Sequence, residues 1–219
     1  MLKIYGVYKS RATRILWLLE ELGLPFELVP VLQAYKLDDP KAPGVRLNTH
    51  SPEFLAINPM GSIPTIEDDG FVLNESLAQT LYVAKKYGGP LGPQDLTEDA
   101  QMLQWTLFAA TSIESDALRI SVSNSSGRLS TDAGQAEAKA AARLLARPFG
   151  VLEKHFSSHA YAVGDRFTVA DINLAEIVRY AQPWQPLLDQ HPKTAEWLAR
   201  MQGRPAFKAM WAKRLAEVE

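Results

Sequence analysis

The chain contains no cysteine. That absence excludes disulfides, thiolate metal sites and any sulfur nucleophile belonging to the protein, so thiol chemistry would need a thiol carried in by a ligand. An excess of charge of one sign is missing too. Lys and Arg number 23 against 25 Asp and Glu, a formal net charge of -2, which gives no global field for nucleic acid or anionic lipid. No apolar run approaches membrane-spanning length. The opening stretch MLKIYGVYKSRATRILWLLEELG lacks a short hydrophobic core with a small-residue cleavage site, and Glu20 and Glu21 break its apolar run. It does not read as a signal peptide, and the cytoplasm is the expected compartment. Histidine is sparse: His50, His155, His159 and His191. His155 and His159 have helical i, i+4 spacing but no third ligand nearby, so they read as a solvated helix face and no metal site is expected.

What is present is enough for a core: 47% of 219 residues are hydrophobic, suited to one domain or two small ones. Leu2 to Gly6 reads as a strand, Arg11 to Leu22 as a helix with Ile15, Leu18, Leu19 and Leu22 on its apolar stripe, and Pro25 to Val31 as a second strand. Strand, helix, strand is a βαβ unit, so those strands are expected to be parallel. Residues 31–50 lack periodicity and read as a long loop. Ser51 then caps a short helix with Pro52 at its first position.

The stretch Asn58 to Ser76, NPMGSIPTIEDDGFVLNES, is the densest in signals. Thr65-Ile66-Glu67 and Phe71-Val72-Leu73 read as strands joined by the Asp68-Asp69-Gly70 turn, and Asn74-Glu75-Ser76 opens an amphipathic helix to Tyr87. A helix start offers unpaired N–H groups to an anion, Ser76 adds a hydroxyl, and Glu75 adds a carboxylate for a cation. An amino-acid head group carries both charges. Proline permits a cis bond at Ile63-Pro64, which would turn the N–H and C=O of Ile63 outward to pair with a peptide-like ligand. An ordinary surface hairpin with a capped helix is the plain alternative.

Residues 86–96, KYGGPLGPQDL, are rich in Gly and Pro and read as a linker. Strand signals nearly vanish after it. A helix starting at Thr97 carries Met102, Trp105, Phe108 and Ile113, and its acidic first turn suits the helix dipole. Residues 121–130 read as a polar break, and an Ala-rich helix follows from Thr131-Asp132 to about His155, with Pro148 inside it. Thr168 and Asp171 have capping-box spacing, with Phe167 and Ile172 at staple positions, a folding device. Two further helices, from His191 to Gly203 and from Pro205 to Ala216, complete an all-helical half.

Four segments in this order resemble the glutathione S-transferase family: SRATRILWLLEELGLPFE at 10–27, HSPEFLAINPMGSIPTIEDDGFVLNES at 50–76, YAVGDRFTVADINLA at 161–175 and EWLARMQGRPAFKAM at 196–210. The likeness is to its serine-type, bacterial-like members, with the subclass unresolved. It implies an α/β plus all-α architecture: a thioredoxin-like βαβ-ββα domain over residues 1–85 that binds glutathione, a linker over 86–96, and an all-α domain over 97–219 that contributes the pocket for an electrophile. It also implies a homodimer.

Carried over residue by residue, the resemblance makes Pro64 the cis-proline and Ile63 the residue whose backbone pairs with the cysteinyl unit. Glu75 and Ser76 hold the γ-glutamyl end. His50 falls near the glycyl carboxylate, where other members carry Lys, and Ser62 where they carry a polar residue. Ser10 aligns with the catalytic serine, and the helix following it favours a nearby anion. Its plain reading is an N-cap, and Tyr8 and Tyr5 are rivals for the catalytic hydroxyl. Tyr8, Trp105, Phe108 and Ser112 are candidates for the second-substrate pocket between the domains, although the spacing of the last three also suits core. The implied activity activates the thiol of glutathione, the co-substrate, and conjugates it to a small apolar electrophile, a detoxification chemistry needing no metal, nucleic acid or membrane. The rivals are a non-catalytic binding or scaffold module of the same fold, and a glutathione-dependent isomerase or peroxidase using the same site.

Overall fold

The computed structural model describes residues 1–218. They divide into two compact units, Met1–Gly88 together with the segment from Pro205 onward, and Gly89–Arg204.

The first unit runs β1 (Leu2–Tyr5), α1 (Thr13–Leu22), β2 (Phe26–Val29), α2 (Pro52–Ile57), β3 (Thr65–Asp68), β4 (Phe71–Leu73) and α3 (Ser76–Tyr87). Its four-stranded sheet has the order β2-β1-β3-β4. β1 pairs parallel with β2, Leu2 against Phe26, as a βαβ crossover requires. It pairs antiparallel with β3, Ile4 against Ile66, and β3 closes on β4 through the Asp68–Phe71 register. This is the βαβ-ββα arrangement expected from the sequence. α1 starts at Thr13, two residues later than its apolar pattern suggests, because residues 10–14 make i→i+3 turn bonds, Thr13 N to Ser10 O and Arg14 N to Arg11 O. It ends at Gly23, whose φ of 59° completes a left-handed cap.

Thr13 to Leu19 are all buried, so α1 is covered on every side rather than along one stripe. α3 covers part of it, and the helix Pro205–Ala216 much of the rest. Residues 31–50 are tied down by the buried Asn48. Its side chain donates to the carbonyls of Pro40 and Arg46 and accepts from the His50 N–H. Ser51 precedes α2 without capping it, because its hydroxyl is taken by the Asn48 N–H.

The second unit is helical: α4 (Leu96–Ser112), α5 (Glu114–Ser125), α6 (Asp132–Phe156), α7 (Val169–Val178), α8 (Gln185–Asp189) and α9 (Pro192–Gln202). One expectation is corrected, and one helix was not anticipated. The polar run 121–130 is helical through Ser125, because Ile120 and Ser123 are buried and the left-handed Gly127 falls only after it. α8 is short, and Trp184 and Pro186 gave it no periodic signature. The Thr168–Asp171 capping box is present. Asp171 is buried and also accepts from Ala162 N–H at 2.9 Å and Trp197 Nε1 at 3.1 Å, so it pins the 161–163 loop and α9 to the start of α7. Arg166 clamps the start of this unit, pairing through both terminal nitrogens with Glu98 at 2.6 Å and donating to the carbonyls of Pro90 and Gly92. This pairing holds the Glu98 carboxyl down at about 2.

The last helix, α10 (Pro205–Ala216), belongs with the first unit. Phe207 meets Trp17 of α1 edge-on, with ring centroids 4.9 Å apart.

Candidate functional site

Three segments of the first unit converge. The first is the turn between β1 and α1. Ser10 is half-buried there, its hydroxyl donating to the Val7 carbonyl at 2.6 Å and accepting from the Ala12 N–H at 3.0 Å. The hydroxyl therefore braces the turn and stands just ahead of the helix, where the dipole favours negative charge.

The second is the proline turn. The Ile63-Pro64 bond is cis. Asn58, fully buried, donates to the Ser62 carbonyl at 2.7 Å and to Thr65 Oγ1 at 3.0 Å, and Gln79 donates to the Pro64 carbonyl at 2.8 Å. With its neighbours held this way, the Ile63 N–H and C=O make no hydrogen bond among the described residues. They are available to an extended ligand. Ser62 is exposed beside them.

The third is the start of α3. Glu75 sits at φ 66°, ψ 105°, a conformation that L-residues rarely adopt. Its exposed carboxylate makes no hydrogen bond or ion pair among the described residues. Ser76 is buried, and its hydroxyl accepts from Arg14 Nη1 at 2.9 Å, which leaves the hydroxyl proton free to donate.

Two contacts bring these segments together. A Cβ on Gly6 would lie 3.4 Å from Ala12 Cβ and 3.7 Å from Pro64. These are ordinary van der Waals distances, so Ala12 of the Ser10 turn and Pro64 of the proline turn both lie close to Gly6. Arg14 then reaches from α1 to the first residue of α3. Ser10, Ser62, Ile63, Pro64, Glu75 and Ser76 consequently share one region. His50 is exposed and lines a different cavity, with Pro40, Lys41, Val45 and Glu53.

One rival hydroxyl is committed elsewhere. Tyr5 OH donates to Glu67 at 2.8 Å, and burial together with that bond pushes its phenol up to about 12. Tyr8 is buried, and burial raises its phenol above the ordinary value while Lys213, hydrogen-bonded to it, pulls the other way. The carbonyl of Tyr8 accepts from Arg214, and its N–H and that of Lys9 donate to the two carboxylate oxygens of Glu217, at 2.8 and 2.6 Å.

In the second unit, Trp105, Phe108 and Ser112 share a face of α4 by their i, i+3, i+7 spacing. Trp105 and Phe108 are half-buried with rings 5.6 Å apart, and Ser112 is exposed. The solvated reading of His155 is corrected. Its ring lies 4.6 Å from Trp105 and stacks on His159 at 4.4 Å, and its Nε2 bonds the Tyr161 carbonyl at 2.9 Å. Desolvation lowers its pKa. No group of three or more His, Cys, Asp or Glu arranged for a metal occurs among the described residues.

Sequence reasoning missed Arg14, Asn58 and Gln79, which hold the site's backbone in place. Arg14 left a trace as a charged residue directly ahead of the apolar run Ile15 to Leu19. Asn58 and Gln79 left none, because a polar residue near a turn or on a helix looks solvated until its partners are known.

Comparison with known proteins follows the same outline. Glutathione S-transferase, N-terminal domain, matches residues 10–86, and glutathione S-transferase, C-terminal domain, matches residues 100–205. Glutathione S-transferase 3 of Zea mays is 32% identical over 94% of this chain and 91% of its own length. A glutathione S-transferase of Hyoscyamus muticus is 30% identical over 94% and 95%. Among solved structures, glutathione transferase F7 from Populus trichocarpa superposes with a TM-score of 0.81 at 28% identity, covering 98% of this chain and 99% of that one. A glutathione S-transferase from Pseudomonas fluorescens gives 0.77 at 29%, covering 94% and 96%.

Proposed function

The chain belongs to the glutathione S-transferase family, and we propose on that premise that it binds glutathione, stabilises its thiolate and directs the sulfur at an electrophilic carbon of a small apolar compound. The observation that carries this reading is the pairing of an Ile63 backbone and a Glu75 carboxylate, both without hydrogen-bond partners among the described residues, with the Ser76 hydroxyl. Ile63 receives the cysteinyl unit in extended form, Glu75 takes the α-ammonium, and Ser76 donates to the α-carboxylate at the start of α3. Ser62 flanks the backbone of the peptide. His50 lines a separate cavity, and its assignment to the glycyl end rests on the family resemblance alone.

Ser10 is assigned the catalytic role. Its oxygen stays held by the Ala12 N–H while its proton turns from the Val7 carbonyl to the incoming sulfur. A free thiol titrates near 8.5, and a depression of two pKa units requires about 2.7 kcal/mol of differential stabilisation. One hydroxyl donor and one helix dipole supply this order of magnitude. The apolar co-substrate is assigned to Tyr8 and to the α4 face carrying Trp105, Phe108 and Ser112. The same chemistry would place the chain in cytoplasmic detoxification. No helix among the described residues is long and apolar enough to cross a membrane. A homodimer is supported by the large apolar side chains left exposed, Met60 and Phe71 in the first unit and Leu103 and Leu107 on α4.

Isothermal titration with glutathione tests the reading. Saturable binding that Glu75→Gln weakens is the expected result. No heat at millimolar glutathione would favour the scaffold alternative.

A further inference from the structure

The carboxylate of Glu217 does not point into solvent. It spans the N–H groups of Tyr8 and Lys9, one oxygen to each, at 2.8 and 2.6 Å. These donors belong to the turn that ends at Ser10, and two adjacent backbone N–H groups aimed at one point form an anion-binding concavity. The turn thus already holds an anion, supplied by the chain itself. The placement is well supported. Phe207 seats α10 on Trp17, Lys213 pairs with Glu20, and Arg214 donates to the Tyr8 carbonyl. Glu217 comes immediately after the helix ends.

The surrounding cleft fits an anionic visitor. Lys9, Lys36, Arg46 and Gln33 line it, and Glu217 and Val218 close one side. Among the described lining residues three are cationic and one is a carboxylate. Removing that carboxylate opens two N–H donors next to Ser10. While Glu217 is in place, the donors that would receive a ligand's negative group are occupied.

Building on the reading above, we propose that the Tyr8–Lys9 N–H pair is an anion site of the glutathione cleft, that Glu217 fills it in the resting chain, and that an anionic group of the incoming tripeptide displaces Glu217 on binding. Glu217 is then a built-in competitor. It keeps the turn satisfied when empty and lowers apparent affinity by the fraction of molecules in which it is docked. The displacing group is a thiolate or a carboxylate, and the two share the same N–H donors.

The test uses the full chain and two variants, Glu217→Ala and Glu217→Gln, titrated calorimetrically with glutathione and with S-methylglutathione. Amide NMR of Tyr8 and Lys9 is recorded alongside, with acetate as a separate anion probe. The expected result is a gain of about tenfold in glutathione affinity for Glu217→Ala, the size of one hydrogen bond to a charged group at the weak end of its range. A smaller gain is expected for Glu217→Gln, whose amide oxygen still accepts from one N–H. A gain with both ligands assigns the displacing group to a carboxylate. A gain with glutathione alone assigns it to the thiolate. Acetate should shift the Tyr8 and Lys9 amides in Glu217→Ala and leave them in the parent. Equal affinities in parent and variants would overturn the proposal while leaving glutathione binding intact. Acetate shifts without any glutathione binding would overturn both the displacement and the reading on which it rests.

Discussion

Glu75 combines an awkward backbone with a carboxylate that has no partner among the described residues, and substitution can separate the two. Its φ of 66° and ψ of 105° suit glycine and not glutamate. Holding a non-glycine residue in such a region costs about 1–3 kcal/mol, while glycine loses about 0.5–1 kcal/mol more chain entropy on folding. Glu75→Gly should therefore stabilise the chain by about 1 kcal/mol, a rise in Tm of about 2–4 °C for a protein of this size. The same change removes the partner for the ligand's ammonium. A hydrogen bond to a charged group is worth about 1.5–3 kcal/mol, so glutathione should bind about 10- to 150-fold more weakly. Glu75→Gln separates the two effects. It keeps the backbone demand, so its Tm should stay near the parent's, and it loses the charge, so its affinity should fall. Differential scanning calorimetry and isothermal titration on the same samples read both. A less stable glycine variant would refute the strain argument, and unchanged affinity in both variants would refute the binding role.

Phe207→Ala removes the ring that seats α10 on Trp17 and should cost about 3–5 kcal/mol, read as a lower urea midpoint; a loss under 1 kcal/mol would mean that α10 is held by its surface pairs. The Glu98–Arg166 pair makes stability depend on pH. The folded pKa of Glu98, about 2, lies below the ordinary carboxylate value of 4.5, so the unfolded chain binds more protons between the two. The contribution is complete above about pH 4.5 and is lost as pH falls towards 2. Glu98→Gln should flatten the fall in Tm across that window, and an unchanged slope would contradict the assignment. Asn58→Ala should cost about 1–3 kcal/mol by leaving the Ser62 carbonyl and Thr65 hydroxyl without their donor, and thermal unfolding measures it.

Periodicity made the elements legible. The βαβ-ββα order, the parallel first pair and most helices of the second unit follow from apolar spacing and from Gly and Pro punctuation, because those patterns are local. The site was legible where it depends on backbone grammar: Pro64 in a turn, Glu75-Ser76 at a helix start, Ser10 before one. It was not legible where a side chain acts at long range. Arg14 finds Ser76 across 62 residues, Tyr8 and Lys9 find Glu217 across more than 200, and Trp197 finds Asp171 in another helix. Nothing local in the sequence announces such partners. Residues 121–125 misled for the opposite reason: their serines look like a loop, and burial of Ile120 and Ser123 overrides that preference.

The central claim is that this cysteine-free chain activates a borrowed thiol with Ser10. The ultraviolet absorbance of the glutathione thiolate, titrated with pH on the bound complex, tests it most directly. The midpoint should fall well below the free-thiol value of about 8.5 in the parent and return towards it in Ser10→Ala. A bound thiol that titrates like free glutathione would contradict thiolate stabilisation altogether, and an equal depression in parent and Ser10→Ala would take the role away from Ser10.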